Sequence, residues 1–156
     1  MPDLTVANVV FDVGAANTDT LRASWKRAKA RYEPETRDRG IDFSKGLGPA
    51  LDKWAVSYKA FNSSVRTLGA GTKLWTKVPI VAQTKIKADA RALKTDATAV
   101  SKAAVKYLNA IEVLGDHDDE HSDSSAAKRD LTTILTKIRD RANQHVTRAQ
   151  NAINAH

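Results

Sequence analysis

A regular apolar stripe in residues 77–114 constrains the fold of this chain more than any other feature. Its members are Ile86, Ala90, Leu93, Ala97, Val100, Ala104, Tyr107, Ile111 and Leu114, separated by alternating intervals of four and three. Apolar residues at this spacing lie on one face of an α-helix. The stripe therefore predicts a helix over 77–114, about 57 Å long at 1.5 Å per residue. Thr76 is its predicted N-cap and Gly115 its predicted stop.

Two other segments show the same periodicity. In 49–68 the stripe carries larger side chains: Leu47, Leu51, Trp54, Tyr58, Phe61, Val65 and Leu68. In 124–155 it consists of Leu131, Leu135, Ile138, Ala142, Val146, Ala149 and Ile153. Gly48-Pro49 is typical of a helix start and Gly69 of a helix stop. Both segments are therefore predicted to be amphipathic helices.

The first segment allows two interpretations. An apolar stripe from Val6 to Tyr32 predicts a helix over about 4–33, which the proline at Pro34 should end. However, "VANVVFDV" is β-branched enough for a short strand, and "NTDT" could restart a helix near residue 18. Helix is favoured, and whether residues 4–17 are helix or strand stays open.

Four long amphipathic helices and one core predict an all-α, antiparallel up-down-up-down four-helix bundle. The 156 residues suffice for one domain, 1–156, with a single core. Small side chains at Ala90, Ala97 and Ala104 could pack opposite large ones of the second helix. Such a core leaves little room for a buried cofactor, so none is expected.

The acidic stretch "GDHDDEHSDSS", residues 115–125, is the strongest candidate for a metal site. Asp116, Asp118 and Glu120 match positions 1, 3 and 5 of a calcium loop, but the sixth position is His121 and the twelfth is Ala127. An EF-hand needs Gly and Glu at those positions. His117 and His121 are weak zinc candidates, because no third His or Cys ligand is near. We interpret the stretch as a hydrated joint whose charges suit the start of the fourth helix.

No catalytic constellation is evident in the sequence. The chain has no cysteine, so it has no disulfide, thiolate site or Cys nucleophile. It has no Glu-x-x-His, the inward-facing motif of di-iron bundles. His145 borders the fourth stripe and is interpreted as a boundary residue. The chain is therefore not expected to be an enzyme.

The basic helix faces are the features with functional content. The net charge is +7, and a basic chain prefers polyanions. The partner-binding candidates lie on the third helix and in the turn before it: Lys87, Arg91, Lys94, Lys102, Lys106 and Trp75. Trp75 would suit an interface if exposed, although a tryptophan there more often caps the end of a bundle.

These observations favour a non-catalytic interaction or structural protein. Its partner would be another protein or a second copy of the chain, bound through a basic helix face. The alternative is a protein that binds nucleic acid or an anionic surface, and a metal-dependent enzyme is a distant third. The longest apolar runs are far shorter than the roughly 20 residues of a membrane span, and the first ten residues hold no Lys or Arg. The sequence therefore predicts a soluble, cytoplasmic protein.

Overall fold

The chain folds into α-helices. The computed structural model describes residues 18–37, 46–68, 74–114 and 122–155. Within these ranges there are four α-helices and no strand: α1 (Thr18–Arg37), α2 (Leu47–Leu68), α3 (Ile80–Leu114) and α4 (Ser122–Ile153). A 3₁₀ turn, Trp75–Lys77, precedes α3. The all-α class predicted from the sequence is confirmed.

The predicted start of the third helix is wrong. Thr76 is not an N-cap but the middle residue of the 3₁₀ turn, and α3 begins at Ile80. Val78 is extended, with φ −73° and ψ 131°. The ring of Pro79 disfavours the α conformation in the residue before it, so the helix starts after the proline.

The predicted end of the first helix is also wrong, because α1 continues through Pro34 to Arg37. Proline removes one backbone donor, here the bond from residue 34 to the carbonyl of Ala30. The helix ends within one turn of Pro34, so the lost bond affects only its last turn. The predicted residues 4–17 lie outside the described ranges, and α1 begins at Thr18.

One hydrophobic core contains the stripes of all four helices. The α3 positions from Ile86 to Ile111 in the predicted stripe are all buried, and α2 contributes Trp54, Tyr58 and Phe61. The three tryptophans of the chain, Trp25, Trp54 and Trp75, are each at most 1% exposed. The periodicity of the sequence therefore identifies most of the core.

Polar contacts fix how the neighbouring helices align. Ser57 and Ser64 of α2 donate hydrogen bonds to Asp96 and Asp89 of α3, respectively. Between α3 and α4, Lys94 Nζ donates to Gln150 Oε1 at 2.5 Å and Ser101 Oγ to Asn143 Oδ1 at 2.7 Å. Between α2 and α3, and likewise between α3 and α4, the second contact lies further along one helix and further back along the other.

The α2 helix begins at a glycine with a left-handed backbone. Gly46 has φ +95°, a conformation that residues with a Cβ rarely adopt. Its carbonyl accepts a hydrogen bond from the Ala50 backbone N–H at 3.1 Å. This hydrogen bond closes the first turn of α2. The Tyr107 hydroxyl of α3 lies close to Gly46.

Candidate partner-binding surface

The basic residues of α3 share one face of the helix. Five basic residues occur between positions 87 and 106: Lys87, Arg91, Lys94, Lys102 and Lys106. At about 100° per residue, they fall within an arc of about 120°. Arg91, Lys102 and Lys106 are exposed, and Lys87 and Lys94 are half-buried. The structure thus brings all five onto a single surface, which we call the basic face.

The acidic residues of the same stretch point elsewhere. Between positions 87 and 106 the acids are Asp89 and Asp96, and both are half-buried where they accept hydrogen bonds from α2 serines. Asp89 also forms an ion pair with Lys85 at 2.9 Å. Because these carboxylates lie against α2, they do not neutralise the basic face.

Three of the basic side chains line a shallow groove between α3 and α4. Its lining consists of Arg91, Lys94, Thr95, Thr98, Ala99, Lys102, Gln150 and Ile153, and its volume is about 710 Å³. Residues 141–155, in the second half of α4 and directly after it, include no Asp or Glu. The groove therefore combines positive charge, hydroxyl and amide groups and a little apolar surface, which suits an acidic ligand.

The remaining two basic residues differ in their surroundings. Lys87 lies beside the end of α4, where its Nζ donates to the Ala155 carbonyl at 2.5 Å. That partner is neutral, so the charge of Lys87 still contributes to the surface. Lys106 is exposed further along α3 and does not line the groove.

Trp75 is not part of this surface. Its side chain is fully buried, so the structure does not present it to a partner. Its carbonyl accepts hydrogen bonds from Gln83 Nε2 at 2.7 Å and from the Val78 backbone N–H at 3.0 Å. Trp75 is instead a core residue in the turn that leads into α3.

The interpretation of His145 as a boundary residue is wrong, because its side chain is fully buried. Trp54 Nε1 donates to His145 Nδ1 at 3.0 Å, and the Tyr58 ring stacks on the imidazole at 5.1 Å. Burial, and then the charges of Arg141 and Arg148, lower the pKa of His145 to about 4. The neutral ring thus serves as a hydrogen-bond acceptor in the core.

A second cleft lies between α1 and α4 and was not predicted from the sequence. It has a volume of about 500 Å³ and is lined by Ser24, Arg27, Ala28, Arg31, Tyr32, Asp130, Thr133 and Ile134. The Tyr32 hydroxyl donates to Asp130 there, and the Arg31 guanidinium lies 5.2 Å from the Tyr32 ring centre. In the sequence, only the four-residue spacing of Arg27 and Arg31 indicates that these two cleft residues share one face of a helix. Unlike the basic face, this cleft holds a carboxylate among its cations.

The metal-site candidates His117 and His121 lie outside the described residues. Among the residues that the structure does describe, no three His, Asp or Glu side chains are grouped to hold a metal ion. In the same ranges, no helix combines the length and hydropathy that crossing a membrane requires.

No protein-family model, curated protein or solved structure matches this chain.

Proposed function

We propose that this chain is a non-catalytic helical-bundle protein that binds an acidic macromolecular partner, in the first instance a protein, through the basic face of α3. We further propose that its helices form a single antiparallel up-down-up-down bundle. The hydrogen bonds Ser57–Asp96 and Ser64–Asp89 support this topology, because the residue number rises along α2 as it falls along α3. The same holds between α3 and α4 for Lys94–Gln150 and Ser101–Asn143.

The segregation of charge on α3 is the observation that carries the functional proposal. A helix that needed charge only for solubility could alternate its signs around the solvent face. Here the acids between positions 87 and 106 are bonded to α2, while five cations share the opposite side. Like charges this close repel one another by a few tenths of a kcal/mol per pair. An acidic partner would relieve that repulsion.

The groove favours a protein partner over nucleic acid. Binding to nucleic acid uses cations for phosphates, and base readout or stacking adds exposed polar or aromatic side chains. The groove has no aromatic residue, and Ile153 and Ala99 give it apolar surface. Nucleic acid or another anionic surface remains the second candidate, because the net charge of +7 suits any polyanion.

The test compares two triple variants that lose the same charge. The groove variant is Arg91→Gln, Lys94→Gln and Lys102→Gln. The matched control is Lys53→Gln, Arg66→Gln and Lys137→Gln, which neutralises exposed cations away from the groove. Binding of a labelled polyglutamate peptide and of labelled duplex DNA is followed by fluorescence anisotropy over a range of salt concentrations.

We expect the groove variant to bind polyglutamate about tenfold more weakly than the control variant, since each exposed charge contact contributes up to about 1 kcal/mol. Equal losses in the two variants would reject the proposal, because only net charge would then matter. If the groove variant loses binding to DNA but not to the peptide, the partner class is nucleic acid instead.

A further inference from the structure

We propose that the end of the bundle where α3 begins docks onto an anionic lipid bilayer, with Ile80 and Val81 entering the interfacial layer. This surface, the α3 tip, comprises the exposed residues Lys77, Pro79, Ile80 and Val81. It is separate from the groove and does not depend on the function proposed for the basic face.

The α3 tip carries the most exposed large apolar side chains of the described residues. Ile80 is 80% exposed and Val81 is 83% exposed, and they are neighbours in the first turn of the helix. Transfer of an Ile or Val side chain from water to an apolar environment is favourable. Ile80 and Val81 therefore form a small apolar surface that is exposed to water, which we call the wedge.

Among the described residues, the α3 tip extends beyond the ends of α2 and α4. Lys87 bonds to Ala155, the last described residue after α4, so residues 80–86 extend past that point by about 10 Å. Ser64, one turn before the end of α2, bonds to Asp89. Of the residues that the structure describes, Ile80 and Val81 are therefore among the first that a flat surface approaching this end would meet.

The residues directly before the wedge are anchored in the core and form its base. The buried Trp75 ring and the buried Val78 side chain lie directly before it in the chain. The hydrogen bonds from Gln83 and Val78 to the Trp75 carbonyl tie the turn to α3. Because this base is part of the core, Ile80 and Val81 cannot fold inward without displacing it.

The segments of the chain next to the wedge carry basic residues and no acidic ones. The sequence has no Asp or Glu between Asp52 and Asp89, a stretch that ends in the first turns of α3. Arg66, in the last turn of α2, and Lys77 are exposed, and Lys87 lies about two helical turns after Ile80 along α3. None of these three forms an ion pair with another described residue. Each Lys or Arg that lies near an anionic bilayer strengthens binding to it.

This combination fits a bilayer better than other occupants. A second copy would bring the same positive charges face to face, and a stable protein interface buries about 1,000 Å² or more, far beyond two side chains. Nucleic acid would use the charges but not the aliphatic pair. An anionic bilayer uses both, since interfacial binding combines buried apolar area with attraction to lipid headgroups.

The experiment measures co-sedimentation of the full chain with two kinds of vesicle. One is phosphatidylcholine alone and the other is an equal mixture of phosphatidylcholine and phosphatidylglycerol. Ile80→Ser with Val81→Ser removes the wedge at constant charge. The matched control is Val56→Ser with Val105→Ser, which changes exposed valines elsewhere on the bundle. Circular dichroism verifies that both variants are folded.

We expect binding to the anionic vesicles only, with the wedge variant weakened at least about tenfold and the control unchanged. Raising the salt to about 1 M, where the Debye length is about 3 Å, should release the protein. The proposal fails if the wedge variant binds as the wild type does, or if neither vesicle is bound. A wild type that dimerises by sedimentation velocity, while the wedge variant does not, would instead identify a second copy as the occupant. Loss of peptide binding in the groove variant is a separate result and does not bear on this one.

Discussion

At the scale of single residues, His145 is the most unusual side chain of the core. Its Nδ1 atom accepts the Trp54 indole N–H, so the proton of the neutral ring is on Nε2. Protonation of Nδ1 would remove that acceptor and place a charge between Tyr58 and Trp54, with Arg141 and Arg148 nearby on α4. The folded protein therefore prefers the neutral imidazole.

The stability of the fold should consequently fall in acid. Because the pKa of His145 is lowered from 6.5 to about 4, the unfolded chain binds this proton more tightly. The contribution of His145 is fully present above pH 6.5 and is lost as the pH falls towards about 4. Its size is about 3 kcal/mol, at 1.36 kcal/mol per pKa unit. Urea unfolding across this pH interval measures the loss.

A His145→Gln variant isolates the histidine from the carboxylates that also titrate in acid. It should be less stable than the wild type at neutral pH, because Trp54 loses its imidazole acceptor. Its stability should nevertheless fall less steeply between pH 6.5 and about 4. Parallel pH profiles for the two proteins would show that His145 is not protonated on unfolding.

Unlike His145, the two histidines of the acidic stretch are not expected to affect the stability of the protein. Replacement of His117 and His121 by Asn should leave the melting temperature unchanged, with or without zinc or calcium. The failed calcium spacing and the missing third zinc ligand are the reasons. A metal present at 100 times its dissociation constant would add about 2.7 kcal/mol, a shift of several degrees. Such a shift, abolished in the double variant, would identify a metal site.

At the scale of elements, α3 is defined by its buried alanines. Ala90, Ala97 and Ala104 are fully buried, and they recur at seven-residue intervals. Small side chains at such positions let neighbouring helices approach closely, and the large residues of α2 fill the same core. The three buried alanines therefore determine how closely the neighbouring helices approach α3.

Ala97→Leu should destabilise the bundle by about 1–3 kcal/mol, because extra methylene groups in a packed core force side chains and backbone to shift. Ala92→Leu is the matched control, since Ala92 is an exposed residue of the same helix and leucine is a good helix former. Urea unfolding of both variants checks the difference. Equal stabilities would mean that α3 has free volume at Ala97.

The sequence predicts these helices well because burial repeats with the helical period. It fails where a single residue decides between two local structures. The same steric preference acts on the residue before each proline. It keeps the residue before Pro79 extended, so α3 starts after that proline, whereas α1 continues through Pro34. The burial of His145 was missed because histidine is polar and its partners, Trp54 and Tyr58, lie about ninety residues away in the chain. Of the candidate surface, the sequence identifies the α3 cations, but the groove also needs Gln150 and Ile153 of α4.

At the scale of the whole molecule, the fold depends on contacts among long helices. The contacts between α3 and α4 and between α2 and α3 are the most extensive, and α1 packs on α2 and α4. Two ion pairs, Arg22–Asp52 at 3.1 Å and Lys59–Asp19 at 3.1 Å, join α1 to α2 at the surface. Exposed pairs of this kind contribute little, so the shared core accounts for most of the stability.

Far-UV circular dichroism should show helix well above the one-third that is usual for globular domains. The four long helices are the reason, and the spectrum should keep its helical shape until the protein unfolds. A substantial strand contribution would contradict the fold. The spectrum of the full chain also includes residues 1–17, so it bears on whether that segment is helical or extended.

The burial of all three tryptophans has an optical consequence. Trp25, Trp54 and Trp75 lie in α1, in α2 and in the turn before α3, and none of the indoles is exposed to water in the folded chain. Their emission should therefore be blue-shifted in the native protein and move to longer wavelength as each ring meets solvent. Replacing two of the three by phenylalanine leaves one fluorophore, and its quenching by iodide reports the opening of that region alone. The chain thus contains three local probes, one of them in the turn that leads into the Ile80–Val81 pair.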